Sequence, residues 1–358
     1  MNDVKNAPRV LMIGPGRDVM GGISTVVNSY FDLRLNERVE LRYIASMEDG
    51  NKIKKLWVAL KAYLEFRKCL KDFDIVHVHM AAQASFTRKS AFIRLAKKAG
   101  KKIIIHQHAA DFDDYFFKQS DEAKRQQIKE VFAMADRVIV LSEEWADFFG
   151  KHVCDEKKIE IIHNGVVIPN YEKSDYTDLN VLFLGRLGER KGTYDLLKVI
   201  PEVLKRIPNA RFFFGGDGEV ERCKELAEKT GIADNVSFLG WIRDAEREEY
   251  LKKCSTFVLP SYHEGMPMSV LEAMSYGLAT ISTNAGGIPQ IISQGIDGYR
   301  VEAGDLKELE TTLVRVLISS NEKRILGQAA RKKIVEKFNA ERNIDLLCTL
   351  YQKVGMRR

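Results

Sequence analysis

The stretch Thr256-Phe257-Val258-Leu259-Pro260-Ser261-Tyr262-His263-Glu264-Gly265-Met266-Pro267-Met268-Ser269-Val270-Leu271-Glu272-Ala273-Met274 decides how this chain is read. Thr256 to Leu259 is an apolar strand that stops at Pro260-Ser261. Gly265 and Pro267 punctuate a turn, and Pro267 suits the first position of a helix. That helix runs to about Tyr276 and stops at Gly277. A strand, a glycine turn and a helix N-terminus together leave free backbone N–H groups at the positive end of the helix dipole, which is an anion site. Glu264 lies in the turn, and Glu272 lies five residues into the helix, roughly 7–8 Å further along at about 1.5 Å per residue. One end suits a diphosphate and the other can accept hydrogen bonds from a sugar or ribose. The plainer alternative is a helix cap and one solvated Glu, since acidic residues favour a first turn.

The same strand–turn–helix unit recurs on either side. In the second half, strands are predicted near 180–184, 210–215, 235–239, 278–282 and 298–301. After the first of these comes Gly185-Arg186-Leu187-Gly188-Glu189-Arg190-Lys191-Gly192. Arg offers a forked grip on phosphate oxygens and Lys a point charge, so Arg186 and Lys191 make either a diphosphate clamp or two solvated loop charges. Phe238-Leu239-Gly240-Trp241 ends a strand where a nucleobase could lie. In the first half, Arg9 to Ile13 is a strand followed by Gly14-Pro15-Gly16, and Gly21-Gly22 opens a helix to about Leu35. This is a glycine-rich turn without the G-x-G-x-x-G spacing. Further strands fall near 39–44, 75–79, 102–106, 137–141 and 159–162, with helices near 52–71, 85–99 and 121–135. Asn180 to Gly188 echoes Arg9 to Gly16, and the polar run Pro169 to Leu179 reads as a linker. The pattern predicts an α/β protein of two tandem Rossmann-like domains facing a central cleft, with boundaries at 1–170 and 171–337 and a closing helical segment over 338–358.

Two H-x-H pairs, His77-Val78-His79 and His106-Gln107-His108, end two of the first-half strands. Residues two apart share a strand face, so the imidazoles could converge at the carboxyl edge of a sheet, as ligand-facing groups or as a metal cluster. Asp111-Phe112-Asp113-Asp114 contains D-x-D, which reads as a divalent-ion element or, more plainly, a polar loop.

The composition, 45% hydrophobic and 30% charged over 358 residues, is that of a globular protein of about two domains. The net charge of +6 is uneven: residues 51–102 hold fourteen Lys or Arg and three acids, which leaves the rest of the chain near −5. Such a basic window implies an anionic partner (lipid, nucleic acid or glycan) or a solvated face. Within it, Ile53, Leu56, Trp57, Leu60, Tyr63 and Leu64 recur at helical spacing among lysines. This set can lie on an anionic membrane or pack in the core. The five scattered cysteines read as thiols, and neither a signal peptide nor a membrane span is expected, so a cytoplasmic location is the expectation.

Glu264 and Glu272 resemble the E-x7-E motif of the retaining glycosyltransferases of family 4, which have the GT-B fold. The resemblance runs on through Leu271-Glu272-Ala273-Met274 and Gly286-Gly287-Ile288-Pro289. It includes Gly185-Arg186 with Lys191-Gly192, Gly21-Gly22 and Asn164-Gly165-Val166, and ends in a C-terminal helix over Phe338 to Tyr351 that in the family crosses back to the N-terminal domain. It implies that Arg186 and Lys191 hold the donor diphosphate and that the backbone of Gly265, Met266, Pro267 and Met268 holds the donor sugar and β-phosphate. Glu264 would hold a sugar hydroxyl and Glu272 the ribose. Trp241 would border the base, Gly21 and Gly22 would approach the donor, and His108, with His106 two residues before it, would be the active-site histidine. It also implies no metal and no cofactor, a nucleotide-sugar donor (UDP more than GDP), a saccharide or lipid-linked acceptor, and no nucleic acid. The basic window over 51–102, and not the resemblance, adds the expectation of a cytoplasmic enzyme peripheral at an anionic membrane. Two departures stand out: Met266-Pro267 replaces the usual Phe-Gly, and two histidines occupy a strand where one suffices. A sugar-nucleotide epimerase and a non-catalytic glycan-binding protein are the alternatives.

Overall fold

The chain builds two parallel sheets in the computed structural model, which describes residues 8–355. The first contains β1 (Val10–Gly14), β2 (Leu41–Ala45), β3 (Ile75–Met80), β4 (Lys102–Gln107), β5 (Arg137–Val140) and β6 (Ile159–Ile161), in the order β2-β1-β3-β4-β5-β6. The second contains β7 (Asn180–Leu184), β8 (Arg211–Gly215), β9 (Val236–Gly240), β10 (Thr256–Leu259), β11 (Ala279–Thr283) and β12 (Tyr299–Val301), in the order β12-β11-β10-β7-β8-β9. β1, β3, β10 and β11 are buried at every position. A strand covered on both faces carries a continuous apolar run, which is why these strands are legible as sequence. Each order reverses once, between β1 and β3 and between β7 and β10. At such a point successive connections leave toward opposite faces, and a crevice opens at the carboxyl ends.

The chain divides into two units. The first comprises residues up to Val167 together with those from Ala340 onward, and the second is Ile168–Asn339. The helix Ala340–Gly355 buries Ile344, Leu347, Leu350 and Tyr351 in the first unit, where it meets β3 and the helix Gly22–Asp32. Its start is pinned by Ala340 N–H donating to the Val166 carbonyl (3.0 Å) and by the Asn343 amide donating to the His163 carbonyl (2.7 Å).

Several local expectations change. The helix opened at Gly22 ends at Asp32, because Arg34 takes a left-handed conformation (φ 58°) and starts a separate turn, Leu35–Arg38. Asp111 to Asp114 is no loop. Phe112, Tyr115 and Phe116 are buried and pull the segment into a helix, Phe112–Phe117, with Asp113 and Asp114 in its first turn, where the dipole favours them. Pro169 to Leu179 has no regular structure but is fastened to the second unit: Asp178 accepts from Ser255 N–H (3.0 Å), and the buried Lys173 ammonium donates to the Lys252 carbonyl (2.9 Å). Pro267 is extended and caps the helix Met268–Ser275 rather than entering it. In the helix Lys52–Cys69 the buried residues are Ala62, Phe66 and Cys69, so the core-packing alternative for Ile53, Leu56, Trp57, Leu60 and Leu64 is excluded: all five are exposed. Among the described residues no helix is long and apolar enough to cross a membrane, and the five cysteines are free thiols.

Candidate active site

In the second unit Arg186 and Lys191 lie on the loop after β7 and Glu264 to Glu272 on the turn and helix after β10, the two strands on either side of the reversal. The turn after β7 closes at Gly192, whose left-handed φ of 66° and lack of a side chain let it lie against the Pro260 carbonyl at the end of β10. A Cβ there would overlap that carbonyl. The two loops are also laced by hydrogen bonds: Tyr262 N–H donates to the Arg190 carbonyl (2.9 Å), and Ser261 Oγ donates to it as well (3.0 Å). Across this seam the Lys191 ammonium meets the Glu264 carboxylate at 2.5 Å, with both side chains largely buried. A buried pair resists rearrangement, because separating it strands a charge away from water. Behind it, Gly287 N–H donates to the Gly265 carbonyl (2.8 Å). Gly286, at φ 51°, packs so closely on the Glu264 carbonyl that no side chain fits. The Gly-Gly-Ile-Pro stretch thus buttresses the Glu264 turn. Gly265, Met266, Pro267 and Met268 are buried. Arg186 is exposed and, among the described residues, commits its guanidinium to no ion pair. It remains available to an anion.

Glu272 lies on the helix behind this turn, and its carboxylate pairs with Arg247 at 3.2 Å. Burial pushes the carboxyl above the ordinary carboxylate range, and Arg247 pulls it back down. Arg247 escaped the sequence reading because the helix Asp244–Lys253 is polar almost throughout and carries no local sign of a long-range partner. Trp241 follows β9 directly, with its indole partly exposed.

In the first unit the H-x-H pairs end adjacent strands, with His79 opposite His106 in the register. The four imidazoles stack, His106 on His108 at 4.1 Å and His77 on His79 at 4.6 Å between ring centres. His79 Nδ1 shares a hydrogen bond with His108 Nε2 (2.9 Å), and His77 Nε2 with His106 Nδ1 (3.3 Å). His77 Nδ1 is held by the Tyr351 hydroxyl at 2.6 Å, a contact that sequence spacing could not show. Burial pushes His77 and His108 down to about 3 and drives His79 and His106 well below their usual value, so all four are neutral at ordinary pH. His77, His79 and His106 each offer a ring nitrogen within 4.8 Å of the others, so among the described residues these three form a group that could hold a metal ion. The imidazoles are therefore one cluster, and His108, at its rim, is less buried than the other three.

Gly21 and Gly22 are exposed at the start of the helix Gly22–Asp32. A residue the sequence reading passed over is Lys89, which is fully buried and donates to Ser46 Oγ. Burial drives its amine well below the usual lysine range. The signal was present, since Phe86, Lys89, Ser90 and Ile93 share one helix face and all are buried.

The family model described as glycosyl transferases group 1 matches residues 167–333, and that of Glycosyltransferase Family 4 matches residues 26–168. A relative from Escherichia coli, UDP-Gal:alpha-D-GlcNAc-diphosphoundecaprenol alpha-1,3-galactosyltransferase, is 28% identical over 321 residues, which is 82% of this chain and 79% of that protein. N-acetyl-alpha-D-glucosaminyl L-malate synthase of Bacillus anthracis is 25% identical, covering 79% of this chain and 76% of its own. Among solved structures, Anabaena HepE in complex with UDP-glucose superimposes with a TM-score of 0.80 at 15% identity, over 97% of this chain and 100% of that one. That likeness shows the fold. The two family matches overlap at residues 167–168 and together run from residue 26 to 333 on two parallel-sheet α/β units, the GT-B architecture, and the chain belongs to the family 4 glycosyltransferases.

Proposed function

We propose that this protein transfers a hexosyl group from a UDP-sugar to a saccharide or lipid-linked saccharide, with retention, in the assembly of a cell-surface polysaccharide. The observation that carries the reading is the Lys191–Glu264 pair at the β7/β10 reversal, with the uncommitted Arg186 on the same loop. Arg186 and Lys191 neutralise the diphosphate as it leaves, and preorganised charge of this kind is commonly the largest catalytic contribution. Glu264, fixed by Lys191 and the glycine buttress, accepts from a donor-sugar hydroxyl. The backbone of Gly265 to Met268 cradles the sugar and β-phosphate. Glu272, oriented by Arg247, accepts from the ribose hydroxyls, and Trp241 borders the base. Gly21 and Gly22 keep the start of their helix free of side chains, which suits a close approach of backbone to the donor. His108, neutral and held by His79, offers a ring nitrogen to a sugar hydroxyl.

In the reaction, the acceptor hydroxyl attacks the anomeric carbon from the face the nucleotide leaves. The new C–O bond forms as the bond to the diphosphate oxygen breaks, and a phosphate oxygen takes the proton. None of these steps calls on a metal or cofactor. The choice of UDP is supported by the donor in the name of the E. coli relative and by the ligand in HepE. That relative's acceptor is a diphosphoundecaprenol-linked sugar, which supports a lipid-linked acceptor and work at the cytoplasmic face of a membrane.

The test is a thermal-shift series with UDP, GDP, ADP and their sugars, first without metal and then with magnesium. Stabilisation by UDP and UDP-sugars without metal is the expected result. A shift only with magnesium would overturn the metal-free reading, and no shift at millimolar nucleotide would make the chain a non-catalytic binder. Donor sugar altered in the absence of any acceptor would point instead to an epimerase.

A further inference from the structure

The helix Lys52–Cys69 carries apolar residues on two opposite faces, and among the described residues only one face has a partner. Ala62, Phe66 and Cys69 point inward, where Tyr63 and Phe66 pack edge-on against Phe92. On the far side, Ile53 is 73% exposed, Leu56 73%, Trp57 68%, Leu60 53% and Leu64 57%. At 3.6 residues per turn these five fall within an arc of about 100° that lies opposite the inward face. Scattered exposed apolar residues need no explanation, but an aligned stripe of five with a tryptophan marks a contact surface.

The flanks of the stripe say what it contacts. Lys52 borders one side, Lys61 and Lys68 border the other, and Arg67 lies on the stripe toward its C-terminal end. All four are exposed, and among the described residues none is in an ion pair. The helix holds one acidic residue, Glu65, and its carboxylate is taken by Arg42 at 2.8 Å. A protein partner would need to cover an apolar ridge and neutralise the cations on both its sides. An anionic bilayer does both at once, taking the stripe between its acyl chains and the cations at its headgroups.

We infer that this helix is a monotopic membrane anchor that lies in the plane of an anionic bilayer, with Ile53, Leu56, Trp57, Leu60 and Leu64 inserted. It deepens the proposed function by making the acceptor one delivered from the bilayer. That part rests on the transferase reading, whereas the bilayer contact does not.

The test uses the full chain with sedimented vesicles of phosphatidylcholine, with and without phosphatidylglycerol. Wild type should bind the anionic vesicles at low salt and release as salt rises. The triple substitution Leu56→Gln, Trp57→Gln and Leu60→Gln should weaken binding at least tenfold, as should Lys52→Gln with Lys61→Gln and Lys68→Gln. All these positions are exposed, so both variants should keep the wild-type melting temperature. Wild type that binds neither vesicle, or a triple variant that binds as well as wild type, overturns the anchor. So does a wild-type dimer that the triple variant dissolves, because the stripe would then cover itself. Transfer to a lipid-linked acceptor in vesicles should fall in the triple variant, while transfer to a water-soluble acceptor should not. If wild type transfers to neither acceptor yet still binds vesicles, the transferase reading fails and the anchor stands.

Discussion

Lys191 and Glu264 hold one another in place before any donor arrives. Glu264→Gln keeps the shape of the side chain but leaves the Lys191 ammonium facing a neutral amide. Breaking a buried pair on one side costs about 3–5 kcal/mol, so the variant should melt earlier and lose turnover by about 10²-fold or more while UDP affinity changes little. Calorimetric melts and UDP titration check both parts. Glu272 behaves differently. Its carboxyl is raised by burial, so UDP affinity should begin to fall at a higher pH than an ordinary carboxylate would impose, as protonation removes the acceptor for the ribose. Arg247→Gln removes the group that restrains this rise and should move the loss of affinity to still higher pH, as UDP titrations across pH would show. The histidine stack gives a third pH signature. Its members stay neutral in the fold but take up protons near 6.5 in the unfolded chain. Stability is therefore full above about 6.5 and drains as pH falls toward 3, by up to about 1.4 kcal/mol per pH unit for each imidazole. Urea melts from pH 7.5 down to 5 should show the loss beginning well above the carboxylate range. Residue types and loop positions were legible in the sequence here, but pairings were not. Arg247 and Tyr351 stand 25 and 274 residues from Glu272 and His77, and nothing local announces a contact at such range.

At the scale of elements, the twelve described strands were legible, the inner ones such as β3 and β11 because they are buried on two faces of a parallel sheet and read as continuous apolar runs. Helices were harder wherever an apolar set could face either way. The period of Ile53, Leu56, Trp57, Leu60 and Leu64 places them on one side of a helix without saying whether that side looks inward. The answer lies in which smaller set, here Ala62 with Phe66 and Cys69, finds a partner. Phe112–Phe117 was hidden for a related reason: its acids look like a loop until its aromatic residues are seen to be buried. The glycine buttress makes an element-scale prediction. Gly286→Ala places a Cβ against the Glu264 carbonyl at a left-handed φ. The conformational part alone costs about 1–2 kcal/mol. The Glu264 turn should shift, and transfer should fall further than UDP binding does. A crystal structure of the variant together with turnover measurements would show it.

At the scale of the molecule, the chain visits its first unit twice, at Val10–Ile161 and again from Ala340. The second unit, Ile168–Asn339, is continuous and should melt cooperatively as an isolated fragment. Residues 8–167 alone should not, and joining 340–355 to them through a flexible linker should restore a sharp transition by circular dichroism. Tyr351→Phe in the whole chain removes the bond to His77 and should cost only about 1–3 kcal/mol, since the packing survives. This double visit also fixes an order of events during synthesis. As the polypeptide leaves the ribosome, every residue of the second unit emerges before the helix that closes the first. Until that helix arrives, the apolar surface awaiting Ile344, Leu347 and Tyr351 stands bare, so the unit begun earlier is the one completed later, and that interval is when the nascent protein most needs a chaperone.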